Sequence, residues 1–330
     1  IGLDLPLQTW FDFKIPKTKI NSNYIENILT EPQSNKYKPN SKIIWIGIQP
    51  TLEFYTKNKK MNTYEMAKLH FHTKTTTKSI SLSKPYRASN ELTYLKESLD
   101  SGHVSSLGVF SQKCESWFEQ HLSCSRALMT HSCTAALEMV ALLIETQPGD
   151  EIILPSFTFV STANAFALRG ASLKFADSLP NHPNVDPASI ISLISSRTKA
   201  IVVVHYAGMA IDMDSLLVIC REKNIFLIED AAQGMHSHYK NRPVGTIGDF
   251  ATFSFHETKP ISCGEGGMLI INRPEYIPLA EKILEKGTNK IEFKRGGVQS
   301  YEWNCLGSSF AASQLQAAVL LAQLEEVDMI

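Results

Sequence analysis

The sequence predicts an α/β fold in which a mostly parallel sheet lies between layers of helices. After residue 85, short apolar segments alternate with segments of helical periodicity, at the spacing of repeated strand–helix units. The runs IVVV (201–204) and IFLI (225–228) are apolar at every position, which is typical of strands covered on both faces. The composition agrees, because 43% hydrophobic and 20% charged residues in a chain of 330 indicate a globular protein with a large core.

The individual elements follow from this alternation. Residue 89 or 90, Ser or Asn, caps the first expected helix, and polar turns separate the later elements. The expected strands are 127–130, 151–154, 172–176, 199–204 and 225–229. The expected helices are 91–99, 111–121, 133–145, 161–168, 187–195 and 213–223, with an amphipathic helix at 314–329. Before residue 83 only a strand-like segment at 43–48, a possible helix near 61–70 and a Thr/Lys tract at 73–78 stand out.

Charge is distributed unevenly along the chain. Residues 1–84 contain 13 Lys, no Arg and 6 acidic residues, whereas the remainder contains 19 basic and 27 acidic residues. The lysines are scattered among Asn, Thr and Ser, which favours a solvated surface over a site for nucleic acid or another polyanion. We leave a partner-binding role of this segment open.

The cysteine pattern and the hydropathy indicate a cytoplasmic protein. The six cysteines form no C-x-x-C pair and have no histidines at zinc spacing, so reduced thiols and no metal site are expected. No apolar stretch approaches the roughly 20 residues that span a bilayer, and the start of the sequence has no signal-peptide layout.

Ligands of parallel sheets bind beyond the carboxyl ends of the strands, so the residues that follow the strands are the first candidates. Residues 130–136, THSCTAA, open a helix whose free N–H groups suit a phosphate, although an ordinary helix cap reads the same way. Cys133 in this segment is a weak candidate nucleophile. Residues 154–159, LPSFTF, carry Phe159, which either stacks on a planar ring or packs in the core.

Two further strand ends carry charged residues. Asp230 ends the apolar strand of IEDAAQG (228–234), where a buried carboxylate needs a cationic partner or a metal. The segment FSFHETKP (253–260) brings Ser254 and Lys259 to a neighbourhood with little other positive charge, and a lysine near apolar groups becomes a usable amine nucleophile. A phosphate cradle, a stacking aromatic ring, a buried aspartate and an amine nucleophile are together the parts that hold pyridoxal phosphate.

Several motifs in order resemble the DegT-type nucleotide-sugar aminotransferases, over about residues 83–324. These motifs are SCTAALE (132–138), PGDEIILPSFTFVSTANAF (148–166), HYAGMAIDMD (205–214), IEDAAQG (228–234), FSFHETK (253–259), GEGG (264–267) and GSSFAASQLQAA (307–318). The resemblance implies the aspartate-aminotransferase fold (fold type I), pyridoxal 5'-phosphate as cofactor, and a homodimer.

The resemblance also implies roles for individual residues. Lys259 would bind the cofactor covalently and move protons, and Asp230 would hold the pyridine nitrogen. The remaining implied cofactor contacts are Cys133, Thr134 and Ser254 at the phosphate, Phe159 on the ring and Gln233 near the ring hydroxyl. Dehydratases of the family have histidine at the lysine position, so Lys259 favours amino transfer.

The resemblance divides the chain into an unassigned lysine-rich segment (1–82), a large cofactor-binding domain (83–313), and a helix (314–330) leading toward a small C-terminal domain expected to be missing. The wording of HYAGMA, FHETK and GSSF implies transfer from L-glutamate to C4 of a TDP-linked 4-keto-6-deoxyglucose. The product, TDP-4-amino-4,6-dideoxygalactose, would serve surface polysaccharides such as enterobacterial common antigen. Two alternatives stay open: another nucleotide-linked 4-keto sugar, as in perosamine formation, and a truncated, non-catalytic relative that still binds the cofactor.

Overall fold

The computed structural model describes residues 84–330 and two short strands near residue 57. The chain divides into two compact units, residues 1–78 and 79–330. The described part of the first unit is an antiparallel pair, Tyr55–Thr56 with Lys59–Lys60. The elements expected at 43–48 and 61–70 and the tract at 73–78 lie outside the described residues.

A seven-stranded sheet lies at the centre of the second unit and confirms the predicted α/β class. Its strands are β1 (Arg126–Thr130), β2 (Glu151–Pro155), β3 (Ser172–Ala176), β4 (Thr198–Val204), β5 (Phe226–Asp230), β6 (Phe250–Ser254) and β7 (Gly267–Ile271). They lie in the order β1-β7-β6-β5-β4-β2-β3. β7 runs antiparallel to both of its neighbours, and the other adjacent pairs are parallel.

Helices cover both faces of this sheet. They are α1 (Glu91–Asp100), α2 (Val109–Leu122), α3 (Cys133–Leu143), α4 (Val160–Ala167), α5 (Pro187–Ser192), α6 (Asp214–Lys223), α7 (Ile277–Leu284), α8 (Lys290–Lys294) and α9 (Gln314–Glu325). Helices α3, α4 and α7 share a core with Val202 and Ile228, and α5 and α6 pack on the opposite face against Val203 and Leu227. The two faces therefore receive alternate residues of each strand, as the all-apolar runs predict.

Most observed boundaries lie within two residues of the expected ones, and contacts from elsewhere in the chain account for the differences in two helices. Helix α2 begins at Val109 because the side chain of Gln314, in α9, accepts hydrogen bonds from the N–H groups of Phe110 (2.9 Å) and Ser111 (3.4 Å). Helix α5 ends three residues early, and the hydroxyl of Ser195 beyond it donates to Glu151 at the start of β2 (2.6 Å).

The expectation of an amphipathic helix at 314–329 is wrong in two respects. Helix α9 ends at Glu325, and a 3₁₀ turn at Val327–Met329 follows it. Residues 320–324 are buried at every position, which covers more than one face of a helix. Because α9 packs against both α1 and α2 and also on the sheet, little of its surface is left for solvent.

Three further observations concern the described part of the chain. No helix there has the length and apolar character that a membrane crossing requires. All six cysteines lie in this part, and none is paired in a disulfide. The same residues contain no cluster of His, Cys, Asp and Glu side chains that suits a metal ion.

We predict that Gly267→Ala destabilises the second unit, because β7 passes too close to the start of α3 for a side chain. A Cβ atom at this position would lie 2.4 Å from the carbonyl carbon of Ser132 and 2.5 Å from the nitrogen of Cys133. Forcing a methyl group into a packed site costs about 1–3 kcal/mol. Urea unfolding measures the loss. Gly297→Ala is the control, since its Cβ would meet only Glu292, at 3.1 Å or more; equal losses in both variants would contradict the argument.

Candidate active site

The polar strand ends predicted from the sequence meet at one edge of the sheet. β1, β2, β5 and β6 end there, at Thr130, Pro155, Asp230 and Ser254. β7 runs the other way and starts at this edge, with Gly267 opposite Ser254. Parallel pairing thus gathers segments that are far apart in sequence into one candidate site.

Asp230 is a buried acidic group at this edge, and its pKa is raised. It is 5% exposed, and its carboxylate accepts hydrogen bonds from the Thr162 hydroxyl (2.7 Å) and the Ala232 N–H (3.2 Å). Burial raises the pKa of Asp230, and these hydrogen bonds and the charge of Lys259 only partly oppose that rise. Among residues 84–330, no cationic side chain lies within ion-pair distance of the carboxylate. A cationic group on a ligand would therefore bind here favourably.

Lys259 and Ser254 line a common cavity of about 220 Å³ beside Asp230. Lys259 lies in the turn that follows β6, where its N–H donates to the carbonyl of His256 (2.8 Å). Ser254 is buried at the end of β6, and its hydroxyl accepts a long hydrogen bond from the His256 N–H (3.4 Å). The amine and the hydroxyl predicted from the FSFHETK motif thus face one space.

Gln233 also lines this cavity, and the turn after β4 orients its amide group. The side-chain oxygen of Gln233 accepts from the N–H of Ala207 (2.6 Å), a residue held in the left-handed region with φ 53°. Asn184 stabilises the same turn by accepting from the Tyr206 N–H (3.0 Å) and donating to the Met209 carbonyl (2.7 Å). The NH₂ group of Gln233 is consequently the end of the amide that is available to a ligand.

The start of α3 lies at the same edge of the sheet, directly beside Gly267 of β7. Ser132 caps this helix by accepting from the N–H of Ala135 (3.1 Å), and the hydroxyl of Thr134 pairs with that of Ser161 (2.7 Å). The N–H groups of the first turn have no partner within the helix, so this end favours an anion. Burial raises the pKa of the Cys133 thiol, and the charge of Asp230 raises it further. Cys133 is therefore a poor nucleophile.

Phe159 is the N-cap residue of α4 and is 74% exposed, so the core-packing alternative for this ring is wrong. Its neighbour Phe157 packs edge-on against Tyr206, with 4.8 Å between ring centroids. The ring of Phe159 is free to contact a planar ligand, and that contact remains a prediction. Neither Phe159 nor Thr134 lines the cavity that contains Lys259.

A second buried carboxylate, Glu229, precedes Asp230 in β5 but points to the opposite face. It accepts from His205 Nε2 (2.9 Å) and from the N–H groups of Gly245, Ile247 and Gly248 (2.7–2.8 Å). Burial alone would raise the pKa of Glu229, but the hydrogen bond and charge of His205 together with the backbone donors lower it. This pair anchors the ends of β4 and β5 beneath the site.

Three side chains near the site were not predicted from the sequence: Thr162, Thr252 and Asn184. Thr252 pairs with Asp230 in register between β6 and β5, and its buried hydroxyl has no partner within residues 84–330. The four-residue spacing of Thr158 and Thr162 across the start of a helix could have indicated Thr162 from the sequence. The role of Asn184 had no local signal, because its partners lie over 20 residues away.

Three features of the structure suit pyridoxal phosphate. Asp230 is a buried acceptor without a cationic neighbour, which suits a protonated pyridine nitrogen. β7 passes so close to the start of α3 that position 267 has no room for a side chain. The glycine therefore leaves the helix end that favours an anion uncovered. Lys259 provides an amine in the adjoining cavity.

The chain is similar to known proteins over the same region. The profile of the DegT/DnrJ/EryC1/StrS aminotransferase family matches residues 85–330. The GDP-perosamine synthase of Caulobacter vibrioides is 36% identical over 250 residues, which cover 76% of this chain and 65% of that protein. The spore coat polysaccharide biosynthesis protein SpsC of Bacillus subtilis is 36% identical over 249 residues, which cover 74% and 64%. The chain thus spans about 65% of the length of these relatives.

The fold is also found in solved structures. The aminotransferase TlmJ of Streptoalloteichus hindustanus superposes with a TM-score of 0.70 at 30% sequence identity, covering 76% of this chain and 67% of that one. This similarity confirms the expected aminotransferase fold.

We predict that Asp230→Asn stabilises the protein without ligand. An acid whose folded-state pKa is raised opposes folding above its unfolded pKa, and the neutral amide removes this cost. The difference from wild type should shrink as the pH falls through the raised pKa, because the wild-type carboxyl becomes neutral as well. Urea unfolding at several pH values measures both effects.

Glu229→Gln is the matched control on the neighbouring position. Because the pKa of Glu229 is lowered in the folded state, its charge stabilises the fold above the unfolded pKa. Removing one partner of such a buried pair costs about 3 kcal/mol or more. Destabilisation by both variants to the same extent would contradict the opposite roles assigned to the two carboxylates.

Proposed function

Given that the chain belongs to the DegT/DnrJ/EryC1/StrS aminotransferase family, we propose that it binds pyridoxal phosphate and transfers amino groups to a nucleotide-linked keto sugar. The observation that carries this proposal is the buried Asp230 carboxylate beside the cavity of Lys259, at the sheet edge where α3 begins. A pyridine nitrogen, an amine-reactive carbonyl and a phosphate are the three groups that this arrangement suits.

Each residue has a distinct task in this proposal. The charge of Asp230 holds a proton on the ring nitrogen, and the first turn of α3 with Cys133, Thr134 and Ser254 binds the phosphate. Phe159 stacks on the ring, and the NH₂ group of Gln233 donates to the ring hydroxyl. The amine of Lys259 binds the cofactor covalently and then carries the proton between the carbon atoms that exchange the amino group. The cofactor, when bound, supplies the electron-withdrawing ring.

The proposed donor is L-glutamate, and the proposed acceptor is C4 of a nucleotide-linked 4-keto-6-deoxy sugar. The motifs HYAGMA, FHETK and GSSF suggested a TDP-linked sugar, whereas the similarity to a GDP-perosamine synthase favours the GDP-linked alternative. The similarity to a spore coat polysaccharide biosynthesis protein supports use of the product in a polysaccharide. We therefore propose a GDP-linked acceptor first and a TDP-linked acceptor second.

A homodimer remains part of the proposal. It is supported by large apolar side chains on the surface that have no role in the proposed site, since Trp303 is 74% exposed and Leu306 is 61% exposed. Light scattering of the full chain should give twice the mass of 36.8 kDa.

The cofactor proposal predicts covalent labelling of a single lysine. After incubation with pyridoxal phosphate and reduction by borohydride, peptide mass spectrometry should find the label on Lys259, because it is the one lysine among residues 84–330 that lines the cavity of the site. Lys259→Ala should abolish the label, and the exposed Lys96→Ala should leave it unchanged. Labelling of Lys259→Ala to the wild-type extent would disprove the assignment.

The substrate proposal predicts turnover with glutamate and discrimination between nucleotides. Formation of 2-oxoglutarate from L-glutamate by the cofactor-loaded protein tests the donor half of the reaction. Parallel assays with GDP- and TDP-linked 4-keto-6-deoxy sugars then test the acceptor, and we expect faster turnover of the GDP-linked sugar. Faster turnover of the TDP-linked sugar would restore the first expectation, and cofactor binding without any 2-oxoglutarate would indicate a non-catalytic relative.

A further inference from the structure

A chain of two hydroxyl groups leads from the surface segment before α4 to the buried carboxylate of Asp230. The hydroxyl oxygens of Thr158 and Thr162 are 2.8 Å apart, and that of Thr162 lies 2.7 Å from Asp230 Oδ2. Both distances are ordinary for O–H···O hydrogen bonds. Thr162 is 0% exposed, so water does not replace either bond.

The direction of donation along this chain is determined by the carboxylate. An ionised carboxylate only accepts hydrogen bonds, so the single proton of the Thr162 hydroxyl points to Asp230. The Thr158 hydroxyl must then donate to Thr162. Consecutive bonds that run in one direction polarise each other, and this strengthens the last one. The chain therefore delivers partial positive charge to Asp230 without placing a cation beside it.

The other groups around Asp230 do not replace the partial positive charge that the two hydroxyl groups deliver to it. His205, which follows β4, directs its Nε2 to Glu229 and acts on the Asp230 carboxylate only through its charge, and Cys133 at the start of α3 presents a thiol whose pKa burial raises. Lys259 acts on Asp230 only through its charge across the cavity. The direct donors are Thr162 and the N–H of Ala232, the latter at a longer 3.2 Å.

We propose that Thr162, polarised by Thr158, is a positioning residue that keeps Asp230 ionised and aimed at the cofactor-binding space before any ligand arrives. The carboxylate is buried in a place where a neutral acid would be favoured, and the hydroxyl chain offsets that preference. Because Phe159 is the N-cap residue of α4, one short segment carries both the proposed stacking ring and the hydroxyl that contacts Asp230. The inference rests on the proposed function for its purpose but not for its first test.

The first test measures the titration of Asp230 in the protein without cofactor. Carbon-13 NMR of protein labelled at the Asp carboxyl groups follows the titration, and Asp230→Asn identifies the signal. Thr162→Val has the same shape without the hydroxyl and should raise the pKa of Asp230 by about 1 to 2, the usual effect of a lost hydrogen bond to a charge. Thr162→Ser should restore the wild-type pKa, and Thr158→Val should give a smaller rise.

The matched control is Thr146→Val. Thr146 is buried like Thr162, but its hydroxyl has no hydrogen-bond partner within residues 84–330, so its loss should leave Asp230 unchanged. A wild-type pKa of Asp230 in a folded Thr162→Val protein would overturn the proposal. So would equal shifts in Thr162→Val and Thr146→Val. Thermal unfolding of each variant establishes that it is folded.

The second test measures pyridoxal phosphate binding by fluorescence titration. At a pH below the pKa that the NMR titration finds for Asp230 in both proteins, the dissociation constant should rise about tenfold in Thr162→Val for each unit by which that pKa is raised, and it should return toward wild type at pH above both values. In the Asp230→Asn background, Thr162→Val should have no further effect. Additive losses would overturn the proposal. A wild-type protein that binds no cofactor would defeat the proposed function and leave the NMR result to decide this inference.

Discussion

The buried negative charge of Asp230 is the constraint on which the rest of the site depends. A carboxylate at the end of a strand that is covered on both faces is unfavourable unless donors surround it. Here the donors are a hydroxyl and one backbone N–H, which leaves the pKa of Asp230 raised. The fold tolerates this cost at the sheet edge where a cationic ligand group would remove it, which is typical of functional sites.

Glu229 shows that the cost at Asp230 is local and not a general feature of the strand. The two residues are adjacent in β5 and equally removed from solvent, yet the pKa of Glu229 is lowered. The difference lies in the number of donors, because Glu229 has four, including His205. The protein satisfies the carboxylate that holds the sheet together and leaves the carboxylate at the candidate site with fewer hydrogen-bond donors.

Much of the fold and the candidate site could be predicted from residues 84–330. Runs such as IVVV and IFLI identified central strands, and the alternation with helices predicted a mostly parallel sheet, in which the strand ends that carry Asp230 and Ser254 lie at one edge. The beginning of α2 could not be predicted in this way. Its first turn is capped by Gln314, about 200 residues later, and no local pattern records such a contact.

The sequence by itself determined which chemical groups the site contains, because residue type, strand ends and motif order are properties of the chain. Only the tertiary structure decided how these groups are charged and oriented. The hydroxyl of Thr162 reaches Asp230 across 68 positions of sequence, and the turn at Ala207 orients Gln233 across 26. The state of a buried carboxylate depends on which donors lie within about 3 Å, and packing sets those distances.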